Sequence, residues 1–299
     1  MCTASEPPCS WPSVTTSGPD ATCGRPTGSL TAPPPRRLPR RRVGYEVTQL
    51  PVWRDNYAYL LLGEGVAAVV DAPEAAPVLA ILEQRGQPLT HIFNTHHHFD
   101  HIGSNEELLA RYPEAAVYGS VYDAEHERIP GLTRSLSDGE SFAFAGVSCT
   151  VRDVPGHTLG HIAYVFADGR AFVGDTSFVG GCGRLFEGTA KQMDHALNEV
   201  LAGLGDDVLL YCAHEYTESN LRFALSVDGG NERLVAYADE ARALREEGRP
   251  TVPSTVGLEK AINPFFRADA PALRAASGLP PGAARHEVLG ALRSMKDSF

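Results

Sequence analysis

The chain has 299 residues, 43% of them hydrophobic and 21% charged, an ordinary globular composition with room for one large domain or two smaller ones. Its 26 Lys and Arg against 37 Asp and Glu give a net charge of −11, which argues against a nucleic-acid binder. The first 42 residues carry six Arg and two acids, a net of +4, so the remainder holds −15, and any anionic ligand must be captured by local cations set against that field.

Residues 1–42 hold nine of the 22 prolines and end in the run Pro33 to Arg42. This composition predicts a disordered extension. Its Arg-rich, acid-poor character also fits a mitochondrial transit peptide, although the prolines oppose an amphipathic helix. No apolar run approaches the roughly 18 residues of a membrane span, and no signal-peptide core is present. Cys2, Cys9, Cys23, Cys149, Cys182 and Cys212 form no CxxC pair, so they read as reduced thiols of a cytoplasmic protein.

From Val43 onward, short apolar runs separated by turn residues predict strands at Tyr45 to Leu50, Tyr57 to Leu62, Val66 to Val70 and His91 to Asn94. Four more are predicted at Val147 to Val151, Ile162 to Phe166, Ala171 to Val173 and Val208 to Tyr211. Helical spacing appears at Ala76 to Arg85, Glu106 to Arg111 and Ala190 to Leu204. After about Glu215 the strand signals stop, and Asn231 to Glu247 places Leu234, Ala238, Ala241 and Leu244 on one helical face. The expectation is a layered α/β or α+β core followed by a mainly helical segment.

The richest segment is Thr95-His96-His97-His98-Phe99-Asp100-His101, directly after a predicted strand. Neutral imidazole and carboxylate suit zinc and neighbouring first-row metals, and one such loop is able to serve two ions. Three further strand ends present His or Asp in the same manner: His157 in Pro-Gly-His-Thr, Asp175 in Gly-Asp-Thr, and His214 in Cys-Ala-His-Glu-Tyr. This recurrence points to one rim and one site. The remaining histidines, His91, His97, His126, His161, His195 and His286, are assigned no role, and Cys182 and Cys212 read as small buried residues.

The pattern HxHxDH at His96 to His101, followed by His157, Asp175 and His214, resembles the dinuclear metallo-β-lactamase superfamily. Within it, Val52 to Tyr57, Gly181 to Gly188, Cys212 to Thr217, Asn263 to Arg267 and the C-terminal Leu292 to Phe299 resemble glyoxalase II, the hydroxyacylglutathione hydrolases. That resemblance covers about Val43 to Phe299 and implies a four-layer αββα sandwich over 43–214, then a small helical substrate-binding domain over 215–299. It also implies two divalent metals, zinc foremost with iron or manganese as alternatives. One would be held by His96, His98 and His157, the other by Asp100, His101 and His214, with Asp175 and a hydroxide bridging them.

The implied reaction is hydrolysis of S-(2-hydroxyacyl)glutathione, chiefly S-D-lactoylglutathione, with Asp100 and Asp175 as the catalytic carboxylates. The implied partner is that small-molecule thioester, met by a monomer without nucleic acid or membrane. Glutathione would be held by Arg184, Phe186, Tyr216, Arg293 and Lys296, where guanidinium and ammonium groups match its two carboxylates. Arg184 stands where the family often has Lys and Phe186 where it often has Tyr, so one hydroxyl contact is lost. The alternatives are another hydrolase of the superfamily, a persulfide dioxygenase, or a metal-binding protein without turnover.

Overall fold

The computed structural model describes residues 44–299. The expectations for residues 1–42, including Cys2, Cys9 and Cys23, lie outside the described residues. No helix among the described residues is long and apolar enough to cross a membrane.

Two six-stranded sheets form the frame. The first begins as an antiparallel meander of β1 (Tyr45–Val52), β2 (Asn56–Gly63) and β3 (Val66–Val70). It then becomes parallel, because helices make the crossovers: α1 (Ala76–Arg85) leads to β4 (His91–Phe93), α2 (Phe99–Ile102) and α3 (Asn105–Arg111) to β5 (Ala116–Ser120), and α4 (Val121–Glu125) to β6 (Leu132–Leu136). The second sheet starts with the meander β7 (Ser141–Phe144), β8 (Val147–Asp153), β9 (Ile162–Phe166) and β10 (Arg170–Gly174). A short ribbon follows, β11 (Ser177–Phe178) with β12 (Gly181–Cys182), then α5 (Ala190–His195), and β13 (Leu209–Cys212) lies parallel to β10.

Period-two alternation builds the layers. On β2, Tyr57, Tyr59 and Leu61 enter the core between the sheets, where they join Phe93, Val151, Tyr164 and Phe172. The intervening Ala58, Leu60 and Leu62 enter a second core with Val78 and Leu82 of α1 and Leu108 of α3. The sheet is thus buried on both faces, as parallel strands require. On the second sheet's side the core continues through Met193, Leu197, Val200 and Leu201. The arrangement is the layered metallo-β-lactamase fold, followed by helices.

The eight predicted strands all form, two with the predicted bounds and the others with ends shifted by one or two residues. The predicted helix over Ala190 to Leu204 holds as α5 only to His195, continuing as a π-turn at Ala196–Leu201 and a 3₁₀ turn at Ala202–Leu204. That widened turn carries Asn198, whose amide donates to Phe265 O at 3.1 Å.

The segment after Glu215 holds α6 (Thr217–Asp228), α7 (Glu232–Glu246), β14 (Ser254–Thr255), α8 (Val256–Ile262), α9 (Pro271–Ala276) and α10 (Arg285–Asp297). Here the expectation that strands stop is corrected. β14 pairs antiparallel with β13, Leu209 opposite Thr255 and Leu210 opposite Ser254, and so supplies the outermost strand of the second sheet. Two residues are too few to leave a periodic signal in sequence.

Candidate metal centre

The strand directions bring the candidate ligands to one edge. β8, β10 and β13 run the same way, so the turn carrying His157, the residue Asp175 and the residue His214 all emerge together. The loop after β4 joins them there, because Ile162 N donates to Thr95 O at 2.9 Å.

His98 Nδ1 lies 3.0 Å from both His96 Nε2 and His157 Nε2, so three ring nitrogens converge on one point. His101, Asp100 and His214 form a second group, and Asp175 reaches both: its Oδ1 is 3.5 Å from His101 Nε2 and from His214 Nε2, its Oδ2 3.4 Å from His157 Nε2. His214 Nε2 is 3.2 Å from Asp100 Oδ2. All seven sequence-predicted ligands are therefore neighbours.

The opposite ring atoms have polar neighbours behind them. His157 Nδ1 donates to Arg184 O at 2.8 Å, His214 Nδ1 faces Asp55 Oδ1 at 3.1 Å, His101 Nδ1 faces Asp71 Oδ2 at 3.0 Å, and His96 Nδ1 lies 3.1 Å from Thr95 Oγ1. Each partner leaves Nε2 pointing inward, the outer-shell arrangement that orients metal-binding imidazoles. Asn56 donates its amide to Asp100 Oδ2 at 3.0 Å. His161, set aside in sequence, accepts from Asp175 N at 3.0 Å and stacks on His96. Asp55, Asn56, Asp71 and His161 thus stand directly behind the candidate ligands, where the motif does not announce them. Only the position of Asp55 and Asn56 beside the Trp53-Arg54 pair within the resembling segment offered a signal.

The electrostatics divide the groups. Burial holds the His96 and His157 imidazoles neutral, and burial with the neighbouring His157 pushes His98 down to about 4. Neutral imidazole is the form a metal coordinates. In the second group burial opposes charge, yet Asp175 and Asp100 outweigh it and lift His214 to about 10. The Asp175 carboxyl is buried as well, but His214 and His101 hold it well below the usual carboxylate range. These opposite charges face one another where a cation would stand. His101 Nε2 and Asp175 Oδ1 are buried without a hydrogen-bond partner, which a metal would supply. The donor set fits two divalent ions.

A cavity of about 570 Å³ opens above, with His98, Asp100, His157, Asp175 and His214 in its lining. Arg184, Phe186, Tyr216, Arg293 and Lys296 all line it too. Phe186 sets its ring edge-on to His98 and His157 at 5.6 and 5.2 Å. Arg293 is buried and already engaged, its guanidinium donating to Cys182 O at 2.7 Å and to Asp297 Oδ1 at 3.2 Å. Arg184 Nε also approaches Asp297 Oδ1, at 3.4 Å, so one carboxylate absent from the sequence reading sits among the cations. Cys182 and Cys212 are buried free thiols, as read from sequence.

Comparison with known proteins follows this geometry. Residues 51–214 match the family model described as the metallo-beta-lactamase superfamily, and residues 215–299 the model described as the hydroxyacylglutathione hydrolase C-terminus. A hydroxyacylglutathione hydrolase of a Synechococcus species is 54% identical over 256 residues, covering 85% of this chain and 99% of that protein. The chain belongs to the hydroxyacylglutathione hydrolase family. Another hydroxyacylglutathione hydrolase, from Methylococcus capsulatus, is 48% identical over 257 residues, 85% of this chain and 98% of its own. Among solved structures, ETHE1 from Myxococcus xanthus superposes with a TM-score of 0.59 at 26% identity, covering 84% of this chain and 91% of that one. The hydroxyacylglutathione hydrolase family thus accounts for nearly all described residues, and the superfamily implies a dinuclear divalent metal site that the His and Asp clusters found here fit.

Proposed function

We propose that the chain hydrolyses S-(2-hydroxyacyl)glutathione thioesters, chiefly S-D-lactoylglutathione, to D-lactate and glutathione. One observation carries this reading: the cavity that opens on the His and Asp cluster has Arg184, Arg293 and Lys296 in its wall, in a chain whose body is strongly acidic. Glutathione has two carboxylates, and these cations pair with them. Phe186 and Tyr216 line the same cavity, placed to flank the thiol arm of a bound thioester.

His96, His98 and His157 would hold one metal, and Asp100, His101 and His214 the other, with Asp175 facing both groups; zinc suits this donor set, and iron or manganese would be accepted by supply. When bound, two divalent ions would supply a water of lowered pKa and Lewis-acid polarisation of the thioester carbonyl. The Asp100 carboxylate, steadied by Asn56, accepts a hydrogen bond from the attacking water and orients it. The C–S bond breaks to a thiolate, a good leaving group, so no side chain need donate a proton to it. We assign residues 43–214 to catalysis and 215–299 to substrate binding, in a cytoplasmic monomer that engages no nucleic acid or membrane.

The test is steady-state hydrolysis of S-D-lactoylglutathione by purified protein, followed by loss of thioester absorbance, with metal content measured on the same sample. Saturable turnover with two metals per chain is expected. Two metals without turnover would remove glutathione as the carrier, and one iron without turnover would favour a dioxygenase.

A further inference from the structure

His97 lies between two residues of the metal loop, yet its ring faces other groups. Nδ1 is 3.4 Å from Asp123 Oδ1 and Nε2 is 3.7 Å from Glu187 Oε1. Asp123 is wholly buried at the start of α4, and neither of its carboxylate oxygens has a hydrogen-bond partner. A buried carboxylate is strongly unfavourable unless charge or hydrogen bonds compensate it. The structure supplies His97 on one side and Arg128 Nη1, at 3.9 Å, on the other. The fit is close, since a Cβ at Gly160 would meet Asp123 Oδ1 at 2.6 Å.

Glu187 completes the arrangement. It accepts from Arg128 Nη1 at 2.8 and 3.1 Å and from Leu159 N at 2.9 Å. It directly follows Phe186 in the cavity wall, and the amides of both residues donate to His157 O, at 3.2 Å from Phe186 and 3.4 Å from Glu187. His97 and Glu187 together therefore join four segments: the loop with His96 and His98, α4 with Asp123, the turn from His157 to Gly160, and the loop from Arg184 to Gly188.

We propose that His97, Asp123, Arg128 and Glu187 are positioning residues that lock the metal-ligand loop to the substrate-binding loop, so that metal affinity and thioester binding are set by one network. The inference rests on the metal and substrate assignments proposed above. His97 and Glu187 touch neither reacting atoms nor the ligand nitrogens; they act through His98, His157 and Phe186.

The experiment uses the full chain as wild type, His97→Gln, Glu187→Gln and the double variant. Zinc affinity is read by competition with a chromophoric chelator, and kcat and KM for S-D-lactoylglutathione are read at saturating zinc. Loss of a partner that touches a ligand ring weakens metal binding by about 10–100-fold, so these residues, one contact further out, are each expected to cost about three- to tenfold. KM should rise several-fold in both, with kcat at saturating zinc nearly unchanged. Because both substitutions cut one link, the double variant should be no weaker than the worse single variant.

Zinc affinities within about twofold of wild type in both single variants, or additive losses in the double variant, would overturn the network. A merely structural role would lower thermal stability without that pattern. If His97→Gln does not fold, Arg128→Gln interrupts the same link from a more open position and is judged by the same readings. An active two-metal wild type with unchanged variants defeats this inference alone, whereas a wild type without metal or turnover defeats the reading on which it rests.

Discussion

The imidazole of His214 lies flat against the phenol ring of Tyr216, centroids 4.7 Å apart and planes 8° from parallel. A candidate metal ligand and a candidate substrate contact are therefore one stacked unit, two residues apart in sequence. Tyr216→Phe keeps the stack and loses only the hydroxyl. It should raise KM for the thioester about two- to tenfold, the worth of one hydrogen bond at about 0.5–1.5 kcal/mol, with full metal content. Tyr216→Ala removes the stack and should lower metal content as well. Equal metal content in both variants would separate the two roles.

Asp175 faces ligands of both groups from the end of β10. Asp175→Ala should lower metal stoichiometry and activity together, measured by elemental analysis and turnover on the same preparation. Unchanged stoichiometry would remove Asp175 from the bridge.

Lys296 is pushed down to about 8 by burial first and by the neighbouring Arg293 charge second, with Arg184 adding to this and Asp297 and Cys182 opposing it. The ammonium is charged below that value and lost as pH rises through it. KM for an anionic thioester should therefore climb above pH 8. Lys296→Arg keeps the charge at all these pH values and should flatten the profile. A profile identical in wild type and variant would place the titrating group elsewhere.

Asp297 competes for Arg184 and Arg293 with any ligand carboxylate. Asp297→Asn frees those donors, and KM should fall about two- to threefold at low salt. The pair is partly exposed, so the difference should shrink as ionic strength rises. A salt-independent change would indicate a repacked helix end instead.

Gly183 has no room for a side chain, because a Cβ there would stand 2.2 Å from Asp175 O and 2.9 Å from His157 Nδ1. Gly183→Ala forces apart two backbone segments that carry metal ligands. The expected cost is about 1–3 kcal/mol of stability, read from denaturant unfolding, together with loss of most turnover. Retained activity would show that the loop relaxes.

The clustered His and Asp set was legible because four strand ends each delivered a His or Asp, and that recurrence survives in sequence without any contact information. The strands β6 and β7 were not, for a physical reason. β6 and β7 lie at sheet edges with only alternate residues buried, so runs such as Leu132-Thr133-Arg134-Ser135-Leu136 look like loop. The residues behind the ligands were silent as well. Asp71 sits 30 residues before His101, and His161, four residues after His157, belongs to no motif, so their value arises only when the sheets bring them to 3.0 Å from His101 Nδ1 and Asp175 N. Arg293 was legible as a cation near the cavity but not as one already bound to Cys182 O, since carbonyl partners leave no trace in a side-chain pattern.

β14 has a bearing on how such chains diversify. Two residues from beyond Glu215 cap the strand that delivers His214, and Tyr59 hydroxyl donates to Cys212 O from the opposite sheet. Excising everything past that histidine would leave β13 an open ladder, able to recruit a foreign strand. The helical portion is thus no detachable cassette. Grafting another specificity onto this scaffold requires the incoming segment to bring its own strand donor, so substrate choice and integrity of the metal-bearing sheet are inherited together.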